Sequence, residues 1–262
     1  VTPKALTVVT WDGGTGEWND DLKWNGGQAA TAVLGSNKGT AGGHAIVIDG
    51  SKPGGADVSY DPNPGTGTGS DFEIKVDNGL SSLTIKNGGK LRMNSASDDD
   101  GKWTRWGGDL NIDGAGSLFK RSKDGINSLS GGAFLLGGFG QQYGQEIDIN
   151  ITNGGRLEND GEVWFGNDNS AANLAITVNI NNGSIDLTGG DNVDLGTGFV
   201  GVKPDLVFFK SYRDGAGNGG PEGIANEKYV INFTGPGSIT VDHSGIYVIT
   251  EASVFDFTAA AK

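Results

Sequence analysis

Two short runs of this chain mix cations with aromatic rings more densely than their surroundings: Lys102-Trp103-Thr104-Arg105-Trp106 and Phe208-Phe209-Lys210-Ser211-Tyr212-Arg213. Indole faces stack on sugar rings while cations grip carboxylates, so the first run has the makings of a subsite for an acidic sugar. In the second, alternation along an extended chain sends Lys210 and Tyr212 to the same side. A third run, Gln141-Gln142-Tyr143-Gly144-Gln145-Glu146, supplies amides and a phenol. These groups suit β-elimination from a uronic-acid polymer such as alginate, which needs three roles. A cation or amide neutralises the substrate carboxylate so that the C5 proton acidifies, a base removes that proton, and an acid protonates the leaving glycosidic oxygen. The expected assignment is Arg105 as neutraliser, Lys210 as base, and Tyr212 or Tyr143 as acid. Lys210 would have to lose its proton near neutral pH, which burial or the neighbouring cations Arg213 and Lys203 would promote. Trp103, Trp164, Arg92, Lys102, Gln142, Glu158 and Arg213 are the expected substrate-binding residues.

Two other readings stay open. Hydrolysis needs two carboxyl groups ~5–9.5 Å apart across the scissile bond, and Glu158 with Asp186, or Asp194 with Glu162, could supply them. A non-catalytic surface, adhesion or carbohydrate-binding module needs no such pair at all. No cofactor is required by any of the three. His44 and His243 form no metal spacing. Asp98-Asp99-Asp100 and Asp191-Asn192-Val193-Asp194 could hold Ca²⁺ through oxygen ligands, although neither matches an EF-hand or the Gly-Gly-x-Gly-x-Asp repeat, and a solvated loop is the simpler reading.

Composition excludes several classes. The 262 residues carry a net charge of -13, so a phosphate-binding surface, and hence nucleic acid as partner, is not expected. There is no Cys, which removes disulfides, Cys-ligated metals and Cys nucleophiles. No stretch approaches the ~20 apolar residues of a membrane span. The chain opens Val1-Thr2-Pro3 without an initiator Met or a leader and reads as a mature or trimmed form. The 48 Gly follow no triplet period and come with only 7 Pro, which excludes collagen.

The elements that must position the chemistry are repeated. Ile46-Val47-Ile48-Asp49-Gly50, Leu83-Thr84-Ile85-Lys86-Asn87-Gly88-Gly89, Leu110-Asn111-Ile112-Asp113-Gly114, Ile149-Asn150-Ile151-Thr152-Asn153-Gly154-Gly155, Val178-Asn179-Ile180-Asn181-Asn182-Gly183 and Ile231-Asn232-Phe233-Thr234-Gly235 are one alternating strand with one Asx-Gly turn, Thr-Gly in the last copy. Steps of 37, 27, 39, 29 and 53 residues separate them, the mark of a stacked solenoid with loops of unequal length. The last step predicts an extra coil near Leu206-Phe209 that lost the motif. A second strand follows each turn, with Leu91, Leu118, Leu157, Ile185 and Ile239 inward, and a third ends at Trp106, Leu136, Phe165 and Leu195. The fold predicted is all-β: a single-domain right-handed parallel β-helix with three short strands per coil, in preference to an immunoglobulin-like sandwich. Residues 1–43 are expected as an N-terminal cap, 44–250 as coils with an insertion near 213–228, and 251–262 as a C-terminal cap or tail. Outward columns are predicted at Arg92, Phe119, Glu158, Asp186 and Thr240, and at Arg105, Leu135, Trp164, Asp194 and Tyr247.

The opening Trp11-Asp12-Gly13-Gly14-Thr15-Gly16-Glu17-Trp18-Asn19-Asp20 with Lys23-Trp24, followed by the strand-Asn-Gly-Gly repeats, resembles Gly- and Asn-rich bacterial secreted β-helix proteins of autotransporter-associated type. Size and rung pattern are also similar to small β-helical pectate and alginate lyases, although none of their catalytic signatures matches residue by residue. The resemblance implies a secreted bacterial protein. An acidic polysaccharide is the expected partner, and the chain is expected to be a monomer.

Overall fold

Alternation of apolar and polar residues turns each motif segment into a strand with one buried face. In Ser82–Lys86 the buried residues are Leu83 and Ile85, and in Asp109–Asp113 they are Leu110 and Ile112. The computed structural model describes residues 7–18, 20–24, 39–40, 44–60, 72–75, 82–96, 104–106, 108–124, 134–136, 146–159, 163–165, 175–187, 206–209, 228–241, 246–249 and 254–259.

The strands come in threes. β1 (Thr7–Thr10), β2 (Gly14–Glu17) and β3 (Gly39–Thr40) precede β4 (His44–Asp49), β5 (Ala56–Tyr60) and β6 (Phe72–Lys75). Then come β7 (Ser82–Lys86), β8 (Lys90–Ala96) and β9 (Thr104–Trp106), and β10 (Asp109–Asp113), β11 (Leu118–Asp124) and β12 (Phe134–Leu136). These are followed by β13 (Glu146–Thr152), β14 (Arg156–Asn159) and β15 (Val163–Phe165), and by β16 (Ala175–Asn181), β17 (Gly183–Leu187) and β18 (Leu206–Phe209). β19 (Lys228–Phe233), β20 (Gly237–Val241), β21 (Ile246–Ile249) and β22 (Val254–Ala259) complete the order. Each strand pairs in parallel with the one three places on. The protein is therefore all-β, with one eight-stranded sheet, β1-β4-β7-β10-β13-β16-β19-β22, and two of seven strands, β2-β5-β8-β11-β14-β17-β20 and β3-β6-β9-β12-β15-β18-β21.

Strict register stacks like on like. In the first sheet Val9, Ile46, Leu83, Leu110, Ile149, Val178 and Ile231 form one buried column, and Ile48, Ile85, Ile112, Ile151 and Ile180 a second. The second sheet adds Val58, Leu91, Phe119, Leu157 and Ile185. Val163 of the third joins the same core cluster. Each such side chain contributes roughly 1.5–3 kcal/mol on burial.

The corner between first and second strands sets the phase, and here the expected inward position of Leu118 is corrected. Leu118 stacks with Lys90 and Arg156 and is half-buried, while Phe119 stacks with Leu91 and Leu157 in the core. The cause is an extra residue. The corner runs Lys86-Asn87-Gly88-Gly89 in one repeat but Asp113-Gly114-Ala115-Gly116-Ser117 in the next, which pushes the following strand one place along. Asn87, Asn153 and Asn182 turn their corners at φ of 53°, 54° and 54°, a region Asn tolerates. Gly155 is required for a different reason: a Cβ there would lie 2.2 Å from the carbonyl oxygen of Ile112 in the preceding repeat.

Residues 1–43, expected as a cap, supply one strand to each sheet through β1, β2 and β3. Their interior is filled by Trp11, Trp18 and Trp24, all buried and packed edge to face at centroid distances of 5.1 Å and 4.9 Å. Gly16 leaves room for this cluster, since a Cβ there would sit 3.1 Å from the Trp11 ring. The Trp24 indole N–H donates to the Trp18 carbonyl at 2.8 Å, so the ring is buried without an orphan donor. Leu206–Phe209 is not an extra coil: it is the third strand after β16 and β17, between β15 and β21. The long step reflects the lengths of 188–205 and 210–227, outside the described residues. The third strand predicted to end at Leu195 also falls there. β22 extends the first sheet beyond β19.

Gly155→Ala is expected to cost about 3 kcal/mol because the added methyl meets backbone. Gly55→Ala should cost about 1 kcal/mol, the left-handed penalty alone, since φ there is 77° and a Cβ would meet nothing within 4 Å. Urea denaturation of the two variants checks the difference.

Candidate functional site

The second sheet carries a ladder of charged side chains. Ser59, Arg92, Lys120, Glu158, Asp186 and Thr240 stack in one row, so Lys120 occupies the place expected for Phe119. The one-residue phase change at the corner is the reason. Arg92 Nε donates to Asp57 Oδ1 at 2.9 Å. Lys120 Nζ lies 3.2 Å from Glu158 Oε2, and Arg156 bonds Glu158 Oε1 while its Nε lies 3.6 Å from Asp186 Oδ2. Asp186 Oδ2 also accepts from the Ser184 hydroxyl at 2.8 Å. Both oxygens of Glu158 are thus engaged by cations. The Glu158–Asp186 pair considered for hydrolysis is bridged by Arg156 rather than set across an open cleft, and Arg92, considered for substrate, is held by Asp57.

The first sheet presents a different surface. Asn111, Asn150, Asn179 and Asn232 stack in register, and each Nδ2 after the first donates to the preceding Oδ1 at 2.8 Å. At the corner edge, Lys86 Nζ lies 3.2 Å from Asp49 Oδ2, and Asn87 Nδ2 donates to Asp49 Oδ1 at 3.0 Å. Two repeats further on, Thr152 Oγ1 and Asn153 Nδ2 donate to Asp113 Oδ1 at 2.6 Å and 2.7 Å. Burial works to raise the Asp49 carboxyl, but bonds from Asn87, Ser51 and Lys86 overcome it and hold the group well below the usual range. Bonds from Thr152 and Asn153, aided by Lys86 against burial, lower Asp113 likewise. Asp109 goes the other way. Burial raises it, the Asp148 amide donating at 3.0 Å opposes this, and the stacked Asp148 carboxylate adds to the rise.

The third sheet carries one of the predicted catalytic residues, Arg105 on β9. Arg105, Leu135, Trp164 and Val207 stand in register on β9, β12, β15 and β18, four consecutive neighbours, with Tyr247 next on β21. Val207 takes the row position expected for Asp194. Lys102 and Trp103 lie just before β9, Gln142 and Tyr143 in the segment after β12, and Lys210, Tyr212 and Arg213 just after β18; all seven lie outside the described residues. Asp194, Glu162 and the acidic stretches considered for calcium lie there too. Among the described residues, no three His, Cys, Asp or Glu side chains gather as a metal site would require. No helix among them is long and apolar enough to cross a membrane. A shallow depression of about 370 Å³ opens at the corner beside Arg156, Asn182, Ser184 and Ser238.

Sequence reasoning missed Lys120, the Asn ladder and the Asn-to-Asp tethers. The Asn ladder left a signal, an Asn at the centre of four motif strands, which reads as simple alternation until register is known. No family model, no curated protein and no solved structure matches the chain.

Asp49 and Asp113 have folded-state values below the ordinary 3.8, so folding favours their ionised forms. Their stabilisation is complete above that value and is lost as pH falls through the lowered folded values. Asp109, raised by burial and by Asp148, has the opposite sign and weakens the fold once it ionises. Asp109→Asn keeps an acceptor for the Asp148 amide. It should raise Tm by about 1–2 °C at neutral pH and leave it unchanged in acid, where Asp109 is already protonated; thermal melts at the two pH values check this.

Proposed function

We propose that the three sheets close into a right-handed parallel β-helix with three strands per coil, and that the chain is a secreted, monomeric polysaccharide lyase acting on a uronic-acid polymer along its third sheet. The right-handed path is the one nearly all parallel crossovers take. Support for the site comes from one observation: β9, β12, β15 and β18 are adjacent in the third sheet. Arg105 and Trp164 hold one register row on β9 and β15, and the Lys-Trp, Gln-Tyr and Lys-Ser-Tyr-Arg segments, far apart in sequence, flank strands of this same sheet along the chain. Strands ~4.8 Å apart form a long shallow face suited to an extended polymer.

In this reading Arg105 neutralises the uronate carboxylate, Lys210 removes the C5 proton, and Tyr212 or Tyr143 protonates the leaving oxygen. Trp103 and Trp164 stack on sugar rings, with Lys102, Gln142 and Arg213 beside them. Arg92 and Glu158 belong to the charge ladder of the second sheet and are left out of the substrate set. The chemistry requires no metal. A second reading, a non-catalytic surface or carbohydrate-binding module, is favoured by the saturation of the first two sheets, whose polar side chains largely bond one another.

Incubation with alginate, pectate and hyaluronan, followed by absorbance near ~235 nm, reports the unsaturated uronate that elimination creates. The expected result is a rise on one of these polymers, reduced at least ~100-fold in Lys210→Ala and in Tyr212→Phe. Retardation in a polyuronate affinity gel with no rise in absorbance would overturn the lyase and leave the binding module. Full activity in both variants would overturn the residue assignment.

A further inference from the structure

We propose that Asn182-Gly183 is a site of spontaneous deamidation in the folded protein, set apart from the two other Asn-Gly corners by the lack of a tether on its side-chain amide. The three corners form an internal comparison. Asn87, Asn153 and Asn182 have φ of 53°, 54° and 54°, and each is followed by Gly. The φ angle at the Asn therefore does not distinguish them, although Gly88 and Gly154 turn at φ of 79° and 88° whereas Gly183 opens β17.

The side-chain amides do. Asn87 Nδ2 is held by Asp49 at 3.0 Å, and Asn153 Nδ2 by Asp113 at 2.7 Å. The place that Asp49 and Asp113 hold for those corners, opposite the residue before the Asn, is taken for Asn182 by Thr152, the register partner of Asn181, which carries no carboxylate and donates its own hydroxyl to Asp113. The exposed Asn182 side chain makes no hydrogen bond among the described residues. The attacking nitrogens of the first two corners are engaged as well: Gly88 N donates to Ser117 Oγ at 3.0 Å and Gly154 N to the Asn182 carbonyl.

Deamidation begins when the deprotonated nitrogen of the following Gly attacks the Asn Cγ. A bond from Gly183 N to Asn182 Cγ forms, the Cγ–Nδ2 bond breaks, and the nitrogen leaves as ammonia. Water then opens the cyclic imide at either carbonyl, giving Asp or isoaspartate with no change of oxidation state. For Asn87 and Asn153 the amide must first leave a charge-assisted hydrogen bond, which slows the attack about tenfold. Conversion at 182 puts a new carboxylate beside Arg156 in the corner depression. The isoaspartate product also lengthens the backbone by one methylene, where the Asn182 carbonyl accepts from the next-lower corner.

The intact protein would be incubated at body temperature and mildly alkaline pH, and each Asn-Gly peptide quantified by mass spectrometry with detection of isoaspartate. Asn182 is expected to convert about tenfold faster than Asn87 and Asn153 in the folded protein, and all three at similar rates in concentrated urea. Equal rates in the folded protein would overturn the proposal. Asp113→Ala should raise the Asn153 rate several-fold toward that of Asn182 while Asn87 stays slow. A folded Asp113→Ala protein with an unchanged Asn153 rate would overturn the tether as the cause, and if that variant does not fold, the wild-type comparison decides alone.

Discussion

Parallel, in-register stacking places every residue about 4.8 Å from its counterpart in the next repeat, so each outward side chain must live beside its own kind or beside a partner chosen to replace it. Ile and Leu meet that condition by packing. Asn meets it because one amide carries both donor and acceptor, and the Asn111-Asn150-Asn179-Asn232 ladder uses both. A carboxylate cannot, and the arrangement of charge follows. At the corner edge Asp49 and Asp113 are separated by Lys86. Where Asp109 and Asp148 do stack, burial raises the Asp109 carboxyl and the neighbouring Asp148 charge adds to the rise.

The second sheet resolves the same constraint over a longer row. Arg92 and Lys120 are neighbours of like sign, but they turn apart, Arg92 toward Asp57 and Lys120 toward Glu158. Glu158 and Asp186 are neighbours too, and Arg156 from the adjacent column bridges both. Exposed pairs of this kind contribute only about 0–1 kcal/mol each. Their greater effect is on register, since a slip of one residue would put like charges together with no bridging partner.

Most of the architecture was legible because it repeats. The strands, the Asx-Gly corners and the aliphatic columns of the first sheet can be read from the motif. Phase within the second sheet could not be, because Ser117 takes the corner position that Gly89 and Gly155 hold elsewhere, and nothing local announces the added residue. The three tryptophans of the opening were visible as a motif, but their mutual packing rests on Gly16 giving way to the Trp11 ring. The strand at Leu206–Phe209 was visible as an apolar run, yet its place in the third sheet depends on pairing across unequal connections. The site divides the same way. Cation-aromatic runs are readable as residue types. That Arg92 belongs to Asp57, 35 residues earlier, or Glu158 to Lys120, 38 residues earlier, follows only from the stack.

The Asn ladder has a direction. Each amide donates toward the amino-terminal end and accepts from the other side, so the side-chain dipoles add head to tail, as peptide dipoles do in a helix. The partially positive pole lies at Asn111 and the partially negative one at Asn232. The polar face of the first sheet is therefore not electrically uniform along its length. An anion approaching it is drawn toward the Asn111 end, a cation toward the Asn232 end, although no charged residue belongs to the ladder itself.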